Sequence, residues 1–341
     1  MSGKIQRIVR MTQDVSTIGG VPTPVFYPSV SSVSKNVWSV IDHIELLVSL
    51  DFPQFLVSCF DVYKNQNNKR LLAALNKAHE QCQVVLWDSG IYEVAWSRSK
   101  RWCFKKYIKT LRRNNISHAF GFDDYCLTNE TANVKKIEST MKRTIGQIGS
   151  RVISPIVHCK DTRDYPRICK QVATVCSPEV IAIPERELGF GVCEIAENIS
   201  NIRAALNGTG KYQVLHILGT GNPLSMMLYA FAGADSFDGL DWCQTVVDFE
   251  SGKLHHPLQI DFYEHQSEYG SDKNLSFLAR CYAHNLEFYQ LWMEMLKKAI
   301  ENDGQMAMLE NYFPESFLVK SQKLFSKIKN KRENSYEALA N

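Results

Sequence analysis

The feature that constrains the fold most is an alternation of short apolar runs with longer amphipathic stretches, from Phe55 to Phe237. Strands buried on both faces read as continuous apolar runs, and their alternation with helices is typical of parallel β–α–β crossovers. The predicted strands are Phe55–Phe60, Val84–Trp87, Ala119–Phe122, Val152–Val157, Val180–Ile183, Val214–Leu218 and a short one ending at Phe237. The predicted helices are Lys69–Gln81, Lys100–Asn114, Asn133–Ile148, Tyr165–Val175, Cys193–Leu206 and Pro223–Ala232.

Seven such units and an earlier strand predict an α/β fold, an irregular (β/α)8 (TIM) barrel. A doubly wound sheet is the alternative. We assign the barrel to residues 1–272, a helical C-terminal extension packed on it to residues 273–332, and a frayed tail to residues 333–341. The chain of 341 residues is long enough for a barrel of about 250 residues with extensions.

Composition excludes several classes of protein. Hydrophobic residues make up 45% and charged residues 22%, which is typical of globular chains and not of disordered or collagen-like ones. No run approaches the ~18–20 apolar residues of a membrane span, and the first residues show no apolar signal segment, so we expect a cytoplasmic protein with no membrane partner. Ten cysteines without a Cys-x-x-Cys pair indicate reduced, mostly buried thiols. The net charge of +3 alone is too small to indicate nucleic-acid binding.

Acidic residues, glycines and a histidine follow the predicted strands. In a (β/α)8 barrel the catalytic residues lie at this end of the strands. Asp and Gly are also ordinary capping and turn residues, so the joint occurrence of these segments, rather than any one of them, indicates a catalytic rim. The segments are Asp88-Ser89-Gly90, Asp123-Asp124, His158, Pro184-Glu185, Gly219-Thr220-Gly221 and Asp238-Gly239.

An ordered set of short segments resembles the tRNA-guanine transglycosylase family, whose members exchange guanine for a 7-deazaguanine on an irregular (β/α)8 barrel. The matches keep the family's order and extend from about residue 23 to residue 304. Each match is short, and the ordered set carries the resemblance. The segments are Thr23–Pro28, Asp88–Glu93, Phe122–Asp124, Gly219–Pro223, Ala232–Asp238 and His284–Tyr289.

The resemblance implies two catalytic carboxyl groups. Asp238 matches the family's nucleophile, which attacks the ribose C1′ and holds the sugar covalently. Asp88 matches the general acid and base that handles the proton of the departing and entering bases. This division is chemically sound, because one carboxylate can trap an oxocarbenium-like centre while a second carboxyl group manages protons.

The resemblance also implies a base-binding pocket. Tyr92 and Leu218 match the residues on either face of the base. Asp123 matches the acid that accepts two N–H donors from the guanine edge. His158 stands where the family usually has Gln; its alternative interpretation is a strand-end histidine satisfied by internal hydrogen bonds. The base-binding residues so implied are Ser89, Tyr92, Asp123, His158, Leu218 and Gly219.

The chain departs from the family at three places. Pro184–Leu188 replaces a Gly-Gly-Leu segment, which leaves base selectivity open, and Gly239–Gln244 differs from the family's segment after the nucleophile. The three zinc-binding cysteines are missing, since no cysteine lies between Cys243 and Cys281. His284 aligns with the fourth zinc ligand. We expect no required cofactor; zinc held by Cys281, His284 and neighbouring histidines is the alternative.

In the family the zinc module supports contacts with tRNA, so its loss favours the branch that inserts 7-deazaguanines into DNA. The resemblance then implies exchange of guanine in DNA for a free base such as 7-cyano-7-deazaguanine, alongside helper proteins of a DNA-modification system. Three alternatives stay open: a tRNA-modifying enzyme, a non-catalytic nucleic-acid-binding subunit and a small-molecule glycosidase. Retention of both Asp88 and Asp238 argues against the non-catalytic subunit.

A run of cations follows the Asp88 segment with few acids to balance it. Such a density fits phosphate contacts, and the alternative is a solvated outer helix. The predicted nucleic-acid-binding residues are Arg98, Arg101, Lys105, Lys106, Lys109, Arg112 and Arg113. Base exchange in a duplex requires the nucleotide to leave the stack, and Trp96, Phe190 and Trp242 are candidates to fill the gap or stack on a neighbouring base.

Overall fold

The centre of the molecule is a sheet of eight parallel strands that is almost closed into a barrel. The computed structural model describes residues 16–34, 37–97, 102–123, 133–149, 152–319, 324 and 326. The strands of the sheet are β1 (Val25–Val30), β2 (Gln54–Ser58), β3 (Val84–Asp88), β4 (His118–Phe120), β5 (Val152–Ser154), β6 (Val180–Pro184), β7 (Val214–Leu218) and β8 (Ser236–Gly239).

Strand order distinguishes a barrel from a doubly wound sheet. Neighbours follow the order β5-β4-β3-β2-β1-β8-β7-β6, so the first and last strands of this sheet lie side by side. Along β8, Asp238 is opposite Tyr27 of β1, and on the other side Ser236 is opposite His216 of β7. The prediction of an irregular (β/α)8 barrel is therefore confirmed. Its last strand, β8, carries Asp238 and lies between β1 and β7.

The barrel closes between β5 and β6 by a short contact, which we call the seam. Among the described residues it consists of an isolated bridge between Ile156 and Ala182. Val157 N donates to Ala182 O at 2.9 Å, and Ala182 N donates to Pro155 O at 3.0 Å. The predicted strand Val152–Val157 is too long at its end, because Pro155 has no N–H to give to a ladder.

Helices follow the strands and cover the barrel. The helices are α1 (Val40–Ser49), α2 (Cys59–Lys64), α3 (Lys69–Glu80), α4 (Ile91–Ser97), α5 (Phe104–Arg113), α6 (Val134–Ile148), α7 (Tyr165–Cys176), α8 (Val192–Asn207), α9 (Pro223–Ala232), α10 (Ile260–Tyr263), α11 (Glu268–Ser271), α12 (Phe277–Glu301) and α13 (Gln305–Tyr312). The predicted helix Lys100–Asn114 starts too early, because α5 begins after the extended residue Cys103. Within the described ranges, no helix combines the length and apolar character that a membrane crossing requires.

A buried ion pair fixes the start of β8. Arg203 of α8 pairs with the Asp235 carboxylate and donates to Gly233 O and Gln213 O, both at 2.8 Å. The same carboxylate accepts the Leu215 amide at 2.8 Å. Asp235 belongs to the segment Ala232–Asp238, so part of that motif places the strand that carries Asp238.

The C-terminal helix α12 packs on the barrel. The Tyr289 ring stacks on Phe26 of β1 with centroids 4.3 Å apart, and its hydroxyl donates to Gly221 O at 2.6 Å. Asn285 Nδ2 donates to Trp242 O at 2.8 Å and to Thr245 O at 2.7 Å. The helix thus supports both the turn after β7 and the segment after β8.

Candidate active site

A cavity of about 370 Å³ opens at the rim where the strands end. Its volume lies within the range of about 300–1,000 Å³ that is typical of small-molecule sites. All eight residues that the sequence indicates as catalytic or base-binding line it, although they come from five different strand ends or the segments after them. They are Asp88, Ser89, Tyr92, Asp123, His158, Leu218, Gly219 and Asp238. The structure therefore brings the set together, and the roles of its members stay predictions.

Three donors orient the carboxylate of Asp238. Its Oδ2 accepts from Ser29 Oγ at 2.5 Å, and its Oδ1 accepts from Gly219 N at 3.1 Å. His216 Nε2 lies 3.1 Å from the same Oδ1 and donates to it, while His216 Nδ1 lies 2.8 Å from Ser236 Oγ. His216 is fully buried inside the barrel. The nucleophile candidate is thus held from β1, β7 and the turn after β7.

Asp88 has a different environment. Its Oδ2 accepts the Gly90 amide at 2.9 Å. Burial, followed by the negative charges of Glu93 and Asp123, raises the pKa of Asp88 well above its usual range. The raised pKa favours the protonated form of this carboxyl group, and a protonated carboxyl group suits a general acid.

Glu93 also lines the cavity, and sequence reasoning gave it no role. Its Oε1 accepts from Ser31 Oγ at 2.5 Å. Burial and the charge of Asp61 raise the pKa of Glu93 to about 7. Asp61 in turn accepts the Ser32 amide at 2.7 Å. A second carboxyl group with a raised pKa therefore lies close enough to Asp88 for their charges to interact.

His158 bridges two carboxylates. Its Nε2 lies 2.9 Å from Asp123 Oδ2, and its Nδ1 lies 2.8 Å from Glu187 Oε1. Burial opposes the charged ring, but the hydrogen bonds and charges of Asp123 and Glu187 prevail and raise the pKa of His158 to about 9. The other Glu187 oxygen accepts from Tyr165 OH at 2.7 Å. His158 is thus an imidazolium at neutral pH that uses both nitrogens to position its partners.

The Asp123 carboxylate keeps one oxygen available. Its Oδ2 is bound by His158, whereas Oδ1 is buried and meets no hydrogen-bond donor among the described residues. A buried acceptor without a partner is costly, and a ligand N–H would remove that cost. Asp123 Oδ1 is therefore well placed to accept an N–H donor from a ligand in the cavity.

Aromatic and cationic side chains stand at the mouth of the cavity. Tyr92 is 38% exposed, and the Trp96 ring packs edge-on to it at 6.2 Å. The Arg186 guanidinium lies 5.5 Å from the centre of the Tyr92 ring. Arg186 belongs to the segment that departs from the family, and it also lines the cavity. The mouth thus carries a positive charge that the base-binding assignments did not include.

The turn after β7 and the segment after β8 pack without space for side chains. A Cβ on Gly221 would lie 2.1 Å from Asp241 Oδ2, and one on Gly239 would lie 2.6 Å from Gly221 N. Trp242 is 0% exposed and donates from Nε1 to Ser29 O at 2.9 Å. The hypothesis that Trp242 stacks on a nucleotide is therefore wrong, because its ring is inside the protein.

Comparison with known proteins assigns no family to the chain. No family model matches it, and no curated protein sequence matches it significantly. The functional argument therefore rests on the arrangement of the cavity residues.

None of the predicted nucleic-acid-binding cations that the structure describes lines the cavity. Lys105, Lys109, Arg112 and Arg113 are exposed on α5, and Lys106 is half-buried. Arg112 Nε donates to Gln147 O at 3.0 Å, and Arg113 donates to Gln66 Oε1 at 2.5 Å. Because α5 runs back toward the start of β4, these two arginines lie at the end opposite the rim. Arg98 and Arg101 lie outside the described residues, and phosphate binding by this set stays a prediction.

The zinc alternative meets a specific obstacle at His284. Its Nδ1 lies 2.7 Å from Ser267 Oγ and its Nε2 lies 2.8 Å from Val247 O, so both ring nitrogens already have partners. Cys281 is buried, with its Sγ 3.7 Å from Pro257 O. Within the described part of the chain, no group of three or more His, Cys, Asp and Glu side chains is arranged to hold a metal ion. His284 and Cys281 do not fit a zinc site as they stand.

Proposed function

We propose that the protein exchanges a guanine base in DNA for a free 7-deazaguanine, such as the 7-cyano form, through a covalent glycosyl intermediate on Asp238. The observation that carries this proposal is that three of the carboxyl groups that line one cavity have different environments. Asp238 is oriented by three donors, the pKa of Asp88 is raised, and Asp123 Oδ1 meets no donor among the described residues. These are the environments that a nucleophile, a general acid and a base-recognition residue need.

The exchange proceeds by double displacement. In the first step a carboxylate oxygen of Asp238 bonds to C1′ of the target nucleotide as the bond from C1′ to guanine breaks. The electron pair of that bond leaves with the base, and Asp88 gives the base its proton. In the second step the Asp88 carboxylate takes a proton from the entering base, whose nitrogen bonds to C1′ and displaces Asp238. One glycosidic bond replaces another, so the exchange needs no ATP and no redox step.

Recognition of the base centres on Asp123. Its free Oδ1 accepts from the guanidine-like edge that guanine and 7-deazaguanines share. The His158 imidazolium holds the other oxygen, so the carboxylate is positioned before the base arrives. Tyr92 and Leu218 line the same cavity and provide apolar contact for the faces of the base.

The choice of DNA as polymer rests on the missing zinc cysteines, and tRNA is the second candidate.

A decisive experiment supplies radiolabelled guanine with double-stranded DNA, single-stranded DNA and tRNA in parallel. Asp238→Asn is the blank, and Asp161→Asn, which changes an acid outside the cavity, is the matched control. We expect label in DNA with the wild type and Asp161→Asn, and a loss of about a thousandfold or more with Asp238→Asn.

The same samples test the mechanism. Denaturing gels of enzyme with labelled DNA should show a covalent adduct that needs Asp238. Normal exchange by Asp238→Asn would overturn the mechanism, and label in tRNA alone would overturn the choice of polymer. Label in none of the three would support a non-catalytic subunit.

A further inference from the structure

The loop between β6 and α8 holds an aromatic side chain in solvent. Phe190 is 96% exposed. The residues on either side are Gly189 with φ 130° and Gly191 with φ 95°, a backbone region that favours glycine. The ring therefore projects from a Gly-Phe-Gly turn whose conformation other residues adopt only with strain.

Contacts on both sides of Phe190 fix this turn. Leu188 is fully buried, and its carbonyl accepts from Asn198 Nδ2 at 2.7 Å. The Phe190 amide donates to Glu194 Oε2 at 2.8 Å. A Cβ on Gly189 would lie 2.7 Å from Glu194 Cδ, so the turn packs closely against this carboxylate. These contacts anchor the backbone of the turn, whereas the Phe190 ring lies in solvent.

The turn belongs to a loop whose first residues line the cavity. Glu185 and Arg186, at the start of the same loop, line the cavity, and Phe190 follows four residues after Arg186. The exposed guanidinium over Tyr92 suits a phosphate, and an exposed ring suits the face of a base. An exposed apolar ring and a cation on one loop are complementary to a nucleic acid.

We propose that Phe190 inserts into the base stack of duplex DNA and fills the gap left when the target guanine turns out into the cavity. This inference rests on the proposed function, and it adds the means by which the cavity reaches a base that is paired in a duplex. A base must leave the duplex before chemistry at its glycosidic bond can occur in a closed cavity. Proteins that unstack DNA insert apolar side chains between neighbouring bases. Of the three aromatic candidates, Trp242 is buried and Trp96 packs on Tyr92, whereas Phe190 projects freely from an anchored turn.

The test compares substrates that do and do not require unstacking. Exchange rates are measured for Phe190→Ala, Phe190→Leu and Phe262→Ala. The last is the matched control: Phe262 is 68% exposed, on a segment that contributes no residue to the cavity. The substrates are one DNA sequence as a paired duplex, as a single strand, and as a duplex with an abasic site opposite the target guanine.

We expect Phe190→Ala to lose about tenfold or more of kcat/KM on the paired duplex and to stay within about twofold of the wild type on the other two substrates. Phe190→Leu should retain most of the activity, and Phe262→Ala all of it. Equal losses on duplex and single strand, or no loss at all, would overturn the inference.

A binding measurement separates this inference from the proposed function. In a duplex with 2-aminopurine beside the target, the wild type should raise the fluorescence by unstacking, and Phe190→Ala should not. If the wild type exchanges no base in any polymer, the proposed function fails while this signal still decides the role of Phe190. A rise that persists in Phe190→Ala overturns the insertion, and exchange confined to tRNA overturns DNA as its partner.

Discussion

Replacing His158 by glutamine removes a buried cation from between two carboxylates. In the wild type the ring contacts Asp123 at 2.9 Å and Glu187 at 2.8 Å, and it is almost fully buried. Glutamine has similar reach and one amide group, so it can donate to a carboxylate but carries no charge. The variant therefore tests the charge of this position and not only its shape.

The magnitude follows from the raised pKa of His158, which moves from its ordinary value of 6.5 to about 9. At about 1.4 kcal/mol per unit, this corresponds to about 3 kcal/mol of folding free energy. Because the pKa is higher in the folded state, the stabilisation is complete below about pH 6.5 and is lost as the pH rises through about 9. The difference in unfolding free energy between wild type and His158→Gln should shrink by about 3 kcal/mol over that window.

Urea unfolding at a series of pH values from about 6 to about 10 measures this difference, and groups common to both proteins cancel. His79→Gln, a change at an exposed histidine, is the control and should follow the wild type. Titration of the His158 ring by NMR gives its pKa directly. A wild-type-to-variant difference that does not depend on pH would refute the interpretation of His158 as an imidazolium.

Three further variants test other parts of the site and fold. Glu93→Gln removes a negative charge that raises the pKa of Asp88, so the alkaline limb of the pH profile of kcat/KM should move to lower pH; an unmoved limb contradicts the coupling. Gly221→Ala places a Cβ 2.1 Å from Asp241 Oδ2 and should cost about 1–3 kcal/mol in urea unfolding; an unchanged free energy of unfolding contradicts this close packing. Arg203→Met leaves its partner carboxylate buried and unpaired, with an expected loss of about 3–5 kcal/mol; a loss below about 1 kcal/mol would show that the pair is not needed.

The barrel was predictable because strands buried on both faces have a simple sequence pattern. Val214–Leu218 and Pro223–Ala232 agree with the structure at both ends, and the apolar run at β3 is one residue shorter than the strand. The strand ends also indicated where the cavity lies, since parallel strands bring their ends to one rim. Helix α4 was missed because its seven residues are too few to show a helical period.

The contacts that tune the site were not predictable in the same way. Ser29 and Asp238 are 209 positions apart, and His158 and Glu187 are 29 apart, so no short motif contains either pair. His216 reads as one polar residue in an apolar strand, and its contact with Asp238 depends on the register of β7 and β8. The exposure of an aromatic residue was not predictable either. The sequence offers Trp242 and Phe190 as equal candidates, and only the packing shows that Trp242 is buried and Phe190 is exposed.

The seam between β5 and β6 is the shortest strand contact of the barrel among the described residues. On the far side of the barrel, β1 and β8 share a ladder of four residue pairs that includes Asp238, whereas one bridge with two backbone hydrogen bonds joins the described residues of the seam. Local opening in native proteins begins where few hydrogen bonds hold the backbone, so the Val157 and Ala182 amides should exchange with deuterated water before those of β8. We therefore expect the wall that carries His158 to adjust its position more readily than β8, the strand that carries Asp238.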